Sequence, residues 1–280
     1  MATRTSEDLT AAGLHVNVWP GSGTTVLGLA GIGSSGRSFS ALAADLGDAH
    51  VVAPDLRGRG RTAGGSGPTG LRAHARDVAA VLDELDLRDV VVVGHSMGAF
   101  LAPLVAEEAA GRVSRLVLVD GGLPSKLPFF MTRTLTRVTF RRQFARADRD
   151  WADAETLTAK LAGKTLDARP DLRPVVVEML SQDLAGRPGA LRPMLDARRA
   201  AEDAVDTFFN PDVVGAIARV HLPVHLVTAT GGKHDAAKPF LSEAVVAEWL
   251  GRLPGLTAQR LPGNHVTVLF APEVAAAVAG

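Results

Sequence analysis

The apolar positions come in short solid runs set between longer segments of helical spacing. Residues 14–19 alternate apolar and polar, the pattern of an edge strand. Residues 25–30, 50–53, 90–93, 115–119, 224–228 and 256–261 predict further strands. Residues 39–46, 71–87, 99–110 and 241–253 predict helices, and a last helix follows Pro272. Residues 20–23, 31–36 and 58–70 are rich in Gly and predict turns and loops.

Strands alternating with helices predict an α/β fold, a mostly parallel central sheet with helices on both faces. The pattern changes from residue 123 to residue 211. There the chain reads as helical segments with Arg-rich surfaces, broken at Pro170, Pro174, Pro188 and Pro193, with no strand. A block between two strands emerges at the carboxyl edge of a parallel sheet, where open α/β sheets place their sites. The expected organisation is a core of residues 1–122 and 212–280 with a helical cap, or lid, of residues 123–211.

The chain has 280 residues, 46% of them hydrophobic, enough for one large core with an inserted subdomain. Lys and Arg total 30, as do Asp and Glu, so no nucleic-acid footprint or polybasic membrane patch is indicated. The absence of Cys excludes disulfides, thiolate metal sites and a Cys nucleophile. Residues 1–10 lack the basic-then-apolar pattern of a signal peptide, and no apolar run approaches a membrane span. These features point to a cytoplasmic monomer or homodimer acting on a small molecule, with no nucleic-acid or membrane partner.

The chemistry concentrates at Gly94-His95-Ser96-Met97-Gly98, between the Val90–Val93 run and a helix. This strand–turn–helix context is that of a nucleophile elbow. A Ser at such a tip projects its hydroxyl from the sheet edge, and glycines on either side let strand and helix approach closely. The first amide of the helix points at the same spot and can stabilise an oxyanion. A bare Gly-x-Ser-x-Gly also arises by chance in a chain with 29 Gly, as an ordinary turn with a surface Ser.

Other segments separate these readings. Leu29-Ala30-Gly31-Ile32-Gly33, Pro54-Asp55-Leu56-Arg57-Gly58-Arg59-Gly60-Arg61-Thr62, the Ser96 elbow and Pro262-Gly263-Asn264-His265 together resemble the α/β-hydrolase superfamily with a helical cap inserted after the sixth strand. The resemblance covers the core and leaves the cap unmatched. It implies a nucleophile, an acid and a His in that chain order, with Ser96 as nucleophile and His265 as base. It places the acid at Asp235, in the loop after the 224–228 strand, with Asp120 as the alternative. It also implies an oxyanion hole from the amides of Met97 and Ile32. Many relatives carry His-Gly where this chain has Ala30-Gly31, so side-chain hydrogen bonds of that loop are absent here. His234-Asp235 is a poor metal pair, since adjacent residues of an extended segment point opposite ways; no metal and no cofactor is expected.

Cap aromatics, among them Phe129, Phe130, Phe140 and Trp151, are candidates to line a largely apolar pocket. Arg133, Arg137, Arg141, Arg142, Arg146 and Arg149 read as a solvated helix face from which one Arg could bind a carboxylate. The leading expectation is hydrolysis of a carboxylic ester, lactone or thioester through an acyl-enzyme on Ser96. Two alternatives stand beside it: C–C bond hydrolysis, which calls for a polar cap group on the substrate carboxylate, and a non-catalytic ligand-binding protein of the same fold.

Overall fold

The computed structural model describes residues 4–280 apart from Lys126, Leu127 and Phe129. In chain order the strands are β1 (Glu7–Ala11), β2 (Leu14–Trp19), β3 (Thr25–Leu29), β4 (His50–Pro54), β5 (Val90–His95), β6 (Val113–Val119), β7 (Leu184–Arg187), β8 (Ala190–Pro193), β9 (Val224–Ala229) and β10 (Leu256–Leu261). The helices are α1 (Ser40–Asp45), α2 (Leu71–Glu84), α3 (Met97–Glu108), α4 (Arg133–Ala145), α5 (Ala154–Leu166), α6 (Arg173–Gln182), α7 (Ala197–Phe209), α8 (Pro211–Gly215), α9 (Glu243–Arg252) and α10 (Pro272–Ala279).

One sheet runs β1-β2-β4-β3-β5-β6-β9-β10. Its strands pair in parallel from β4 to β10, and β1 and β2 are antiparallel. The central strand β5 is buried along its whole length, which is why it reads as a solid Val run rather than an alternating one. On one face Val90 and Val92 pack with Leu71, Val78, Leu101 and Leu104 of α2 and α3. On the other, Val91 and Val93 pack with Phe39 and with Val274 and Val278 of α10.

Two expectations change. Residues 14–19 are not the edge: β1 pairs outside β2 through a tight turn in which Ala12 and Gly13 both have positive φ, 50° and 76°. The 123–211 block also contains strands. β7 and β8 form an antiparallel hairpin turning at Pro188-Gly189, separate from the main sheet.

The segment carrying α4 to α7 and this hairpin leaves the chain after β6 and returns before β9. Its residues Phe140 and Phe208 face the same cavity as Ser96. Among the described residues no helix is long and apolar enough to cross a membrane.

Candidate active site

β5 ends at His95 and α3 begins at Met97, leaving Ser96 at the corner with φ 55° and ψ −115°. A non-glycine residue there is strained, a state that persists only where the surroundings enforce it. The enforcement is tight packing: a Cβ on Gly98 would lie 1.9 Å from the Leu29 carbonyl oxygen, at the end of β3. Asp120, one residue beyond the adjacent strand β6, also has a positive φ of 45°.

These corners converge on His265. Its Nε2 lies 2.9 Å from Ser96 Oγ, and its Nδ1 lies 2.7 Å from Asp120 Oδ2. Asp120 is 2% exposed, and its other oxygen accepts from the Ala229 amide at the end of β9. The imidazole is thus held between a hydroxyl and a buried carboxylate, with Nδ1–H donating to Asp120 and Nε2 free to accept from Ser96.

The expectation for Asp235 is therefore corrected. Its carboxylate is exposed and accepts from Asn264 Nδ2 at 2.6 Å rather than from His265. Asn264 is fully buried; it also donates to the Thr165 carbonyl and accepts from the amides of Val266 and Thr267. Asp235 consequently braces the turn that presents His265. The alternative position, Asp120, is the one that meets the imidazole.

His95, inside the elbow, is 8% exposed, and its Nε2 lies 2.7 Å from the His265 carbonyl oxygen. Burial, reinforced by repulsion from the neighbouring His265, pushes its pKa down to about 4. His95 is therefore neutral at physiological pH and donates to that carbonyl. Phe240 also lies against the imidazole, its ring centroid 4.2 Å from that of His265 and its plane tilted by 34°.

Ile32 and Met97 border the cavity beside Ser96. The loop that carries Ile32 is pinned from below by two groups that sequence reasoning did not single out. Asp55, 1% exposed, accepts from the Gly36 amide, from Asn17 and from the Arg61 amide. Arg59, 1% exposed, donates from Nε to the Ile32 carbonyl at 3.1 Å, and its Nη2 lies 3.6 Å from Met97 Sδ. One guanidinium therefore touches both residues expected to form the oxyanion hole. On its other side Arg59 pairs with Asp203 of α7, which also meets His74 Nε2 at 3.0 Å.

The cavity over Ser96 has a volume of about 340 Å³. Its wall is aromatic: Phe208 lies 6.3 Å, centroid to centroid, from both Phe100 and Phe140. Of the four cap aromatics singled out from the sequence, Phe140 lines this cavity. Trp151 does not: it is 4% exposed, its Nε1 donates to the Ala147 carbonyl, and it bridges to Leu191 of β8 inside the cap. Phe130 is 56% exposed and lies off the cavity wall. Phe129 falls outside the described residues. Among the described residues no group of three or more His, Cys, Asp or Glu is placed to hold a metal ion.

Comparison with known proteins shows the family. The family model described as "Alpha/beta hydrolase family" matches residues 26–278. The chain is 38% identical over 108 residues to the lipase LipV of Mycobacterium tuberculosis, covering 38% of this chain and 41% of that protein. It is 35% identical over 131 residues to the N-formylmaleamate deformylase of Pseudomonas putida, covering 42% and 47% of the two chains. In each case the match spans less than half of the relative's length. The solved structure of an E-2-(acetamidomethylene)succinate hydrolase superposes with a TM-score of 0.78 at 23% identity, covering 98% of this chain and 97% of that one. At that identity the likeness speaks for the fold alone.

Proposed function

This chain belongs to the α/β hydrolase family, and on that premise we propose that it hydrolyses a carboxylic ester, or a related lactone or thioester, of a small and largely apolar substrate. The observation that carries the reading is the hydrogen-bonded series Ser96–His265–Asp120, with spacings of 2.9 and 2.7 Å, opening into an aromatic-walled cavity.

His265 Nε2 takes the proton of Ser96 Oγ as that oxygen attacks the substrate carbonyl. Asp120 stabilises the imidazolium that results. The carbonyl oxygen, now an oxyanion, is received by the amides of Met97 and Ile32. His265 then gives its proton to the departing alkoxide, leaving an acyl group on Ser96. Water, deprotonated by the same imidazole, attacks the acyl carbon and regenerates the Ser96 hydroxyl.

C–C hydrolysis calls for a cap cation over the nucleophile, and none of Arg133, Arg137, Arg141, Arg142, Arg146 and Arg149 lines the cavity at Ser96 itself, although Arg146 lines the cavity next to it. Arg137 is paired with Glu202, and Arg149 stacks on Trp151.

The test is hydrolysis of p-nitrophenyl esters from acetate to decanoate by the wild type and Ser96→Ala in parallel. Turnover by the wild type that vanishes in the variant supports the reading, and the preferred chain length gauges the cavity. No turnover of any ester by folded wild type overturns it.

A further inference from the structure

A second cavity of about 370 Å³ adjoins the one over Ser96. Gln143, Leu161 and Lys233 line both, so they form the seam between the two. The second chamber runs beneath Gly33 and Ser34, just past Ile32, and is roofed by the cap residues Phe144, Leu180 and Leu184.

The charge of the second chamber is unbalanced. Arg146, Lys160 and Lys233 line it, and none of these side chains makes an ion pair or hydrogen bond with any described residue. Several other cations, among them Arg57, Arg61, Arg72, Arg112 and Arg137, are by contrast each paired with a carboxylate. Arg59 in the same chamber is neutralised by Asp203. The opposing acid is Asp183, which burial pushes up to about 6 and which accepts from Ser35 Oγ at 2.7 Å. Three exposed cations against one occupied carboxylate leave an excess of positive charge around a space lined by both apolar and polar groups, and a cleft lined by one sign of charge draws in the opposite one.

We infer that the second chamber is a subsite for an anionic end of the substrate, a carboxylate held by Lys233 at the seam with Lys160 and Arg146 behind it. This inference rests on the hydrolase reading of Ser96 and narrows its substrate to the monoester of a dicarboxylic acid, or an ester of a hydroxy acid, with an apolar spacer between ester and anion. Gln143 at the seam offers amide hydrogens to the same carboxylate or to the ester's second oxygen.

The experiment has two arms, chosen so that the failure of one reading does not conceal the other. In the first, calorimetry measures binding of monoethyl suberate and of ethyl octanoate to Ser96→Ala protein, which needs no turnover. Suberate monoester is expected to bind at least tenfold more tightly. The preference is expected to shrink with added salt and to fall at least fivefold in Ser96→Ala/Lys233→Met, with Ser96→Ala/Lys233→Arg retaining most of it. Equal affinity for the two esters, or a preference that Lys233→Met leaves intact, overturns the subsite. In the second arm, p-nitrophenyl hemi-esters of succinate to suberate are compared with neutral esters of equal length. The ratio of their kcat/KM values is expected to favour the hemi-esters through KM rather than kcat. Turnover of neutral esters with a ratio of one also overturns the subsite and leaves the hydrolase reading standing. Absence of all turnover, with anion binding intact, overturns the hydrolase reading alone.

Discussion

Arg59 Nη1 and Asp203 Oδ2 stand 2.5 Å apart across the junction of core and cap, each side chain only 1% exposed. Burial alone would raise the Asp203 carboxyl, but the Arg59 charge and the His74 hydrogen bond outweigh it and hold the group well below the usual carboxylate range. Replacing one partner leaves the other charged and dry. Asp203→Asn and Arg59→Met are each expected to cost about 3–5 kcal/mol of folding stability, and the double variant less than their sum. Urea denaturation of the four proteins checks this; additive losses would mean that the pair is not coupled. Because the native carboxyl is depressed, its contribution is complete above the unfolded value of about 3.9 and is lost as pH falls below it.

Ser96 predicts two separable effects at one position. Ser96→Ala is expected to lower kcat by at least about 10³-fold, because the nucleophile is gone while its surroundings remain. Ser96→Gly is expected to be equally inactive but more stable than Ser96→Ala by about 1 kcal/mol, since glycine tolerates the φ of 55° without strain. Thermal melts and ester turnover on the same preparations test both. A Ser96→Gly protein no more stable than Ser96→Ala would remove strain as a property of the corner.

The two carboxylates near His265 give opposite expectations. Asp120→Asn is expected to reduce kcat by up to about 10⁴-fold, as an amide cannot compensate the imidazolium. Asp235→Asn, which touches only Asn264 in this turn, is expected to cost less than about tenfold. Parallel kcat/KM measurements settle the ranking, and the reverse order would return the acid to Asp235.

His95 predicts a pH dependence of stability. Its native pKa is lowered to about 4 by burial, so the fold requires it neutral. The sign follows: its contribution is complete above the unfolded value of about 6.5 and is lost as pH falls from there towards 4. His95→Gln keeps a donor for the His265 carbonyl and removes the titration. The stability difference between wild type and this variant is expected to change over that window and to be constant above it; a difference constant throughout would contradict a neutral buried His95.

The legibility of the site in the sequence follows the range of its contacts. Ser96 could be read because everything that defines its corner, the Val run, the flanking glycines and the helix, lies within a few residues of it. His265 followed from its Pro-Gly-Asn turn once the elbow was in place. The acid was not legible by local pattern. Asp120 and Asp235 both sit just past a strand, and only the packing of a residue 145 positions away decides which meets the imidazole. Arg59 was hidden for the same reason, in a Gly-rich loop whose partner lies 144 positions on. The hairpin of β7 and β8 was missed although its signal was present: Pro188-Gly189 is a turn pair, but four-residue strands with no fully buried position carry no apolar alternation. β1 escaped because a polar edge strand such as Glu7–Ala11 owes its place to β2 rather than to its own composition.

The placement of the acid beyond β6 has a consequence for how such a chain diversifies. Since Asp120 meets His265 from the strand next to Ser96, the loop after β9 supplies no carboxylate to the imidazole. Within that loop Gly231, Gly232 and Asp235 are tied to the turn that presents His265, while Lys233 borders the cavity and is open to change under selection for new substrates. For anyone building a library, Lys233, which lines the cavity, is the position to randomise first, with Gly231, Gly232 and Asp235 kept because they hold the turn of His265: such variants should retain that turn and differ in what they accept.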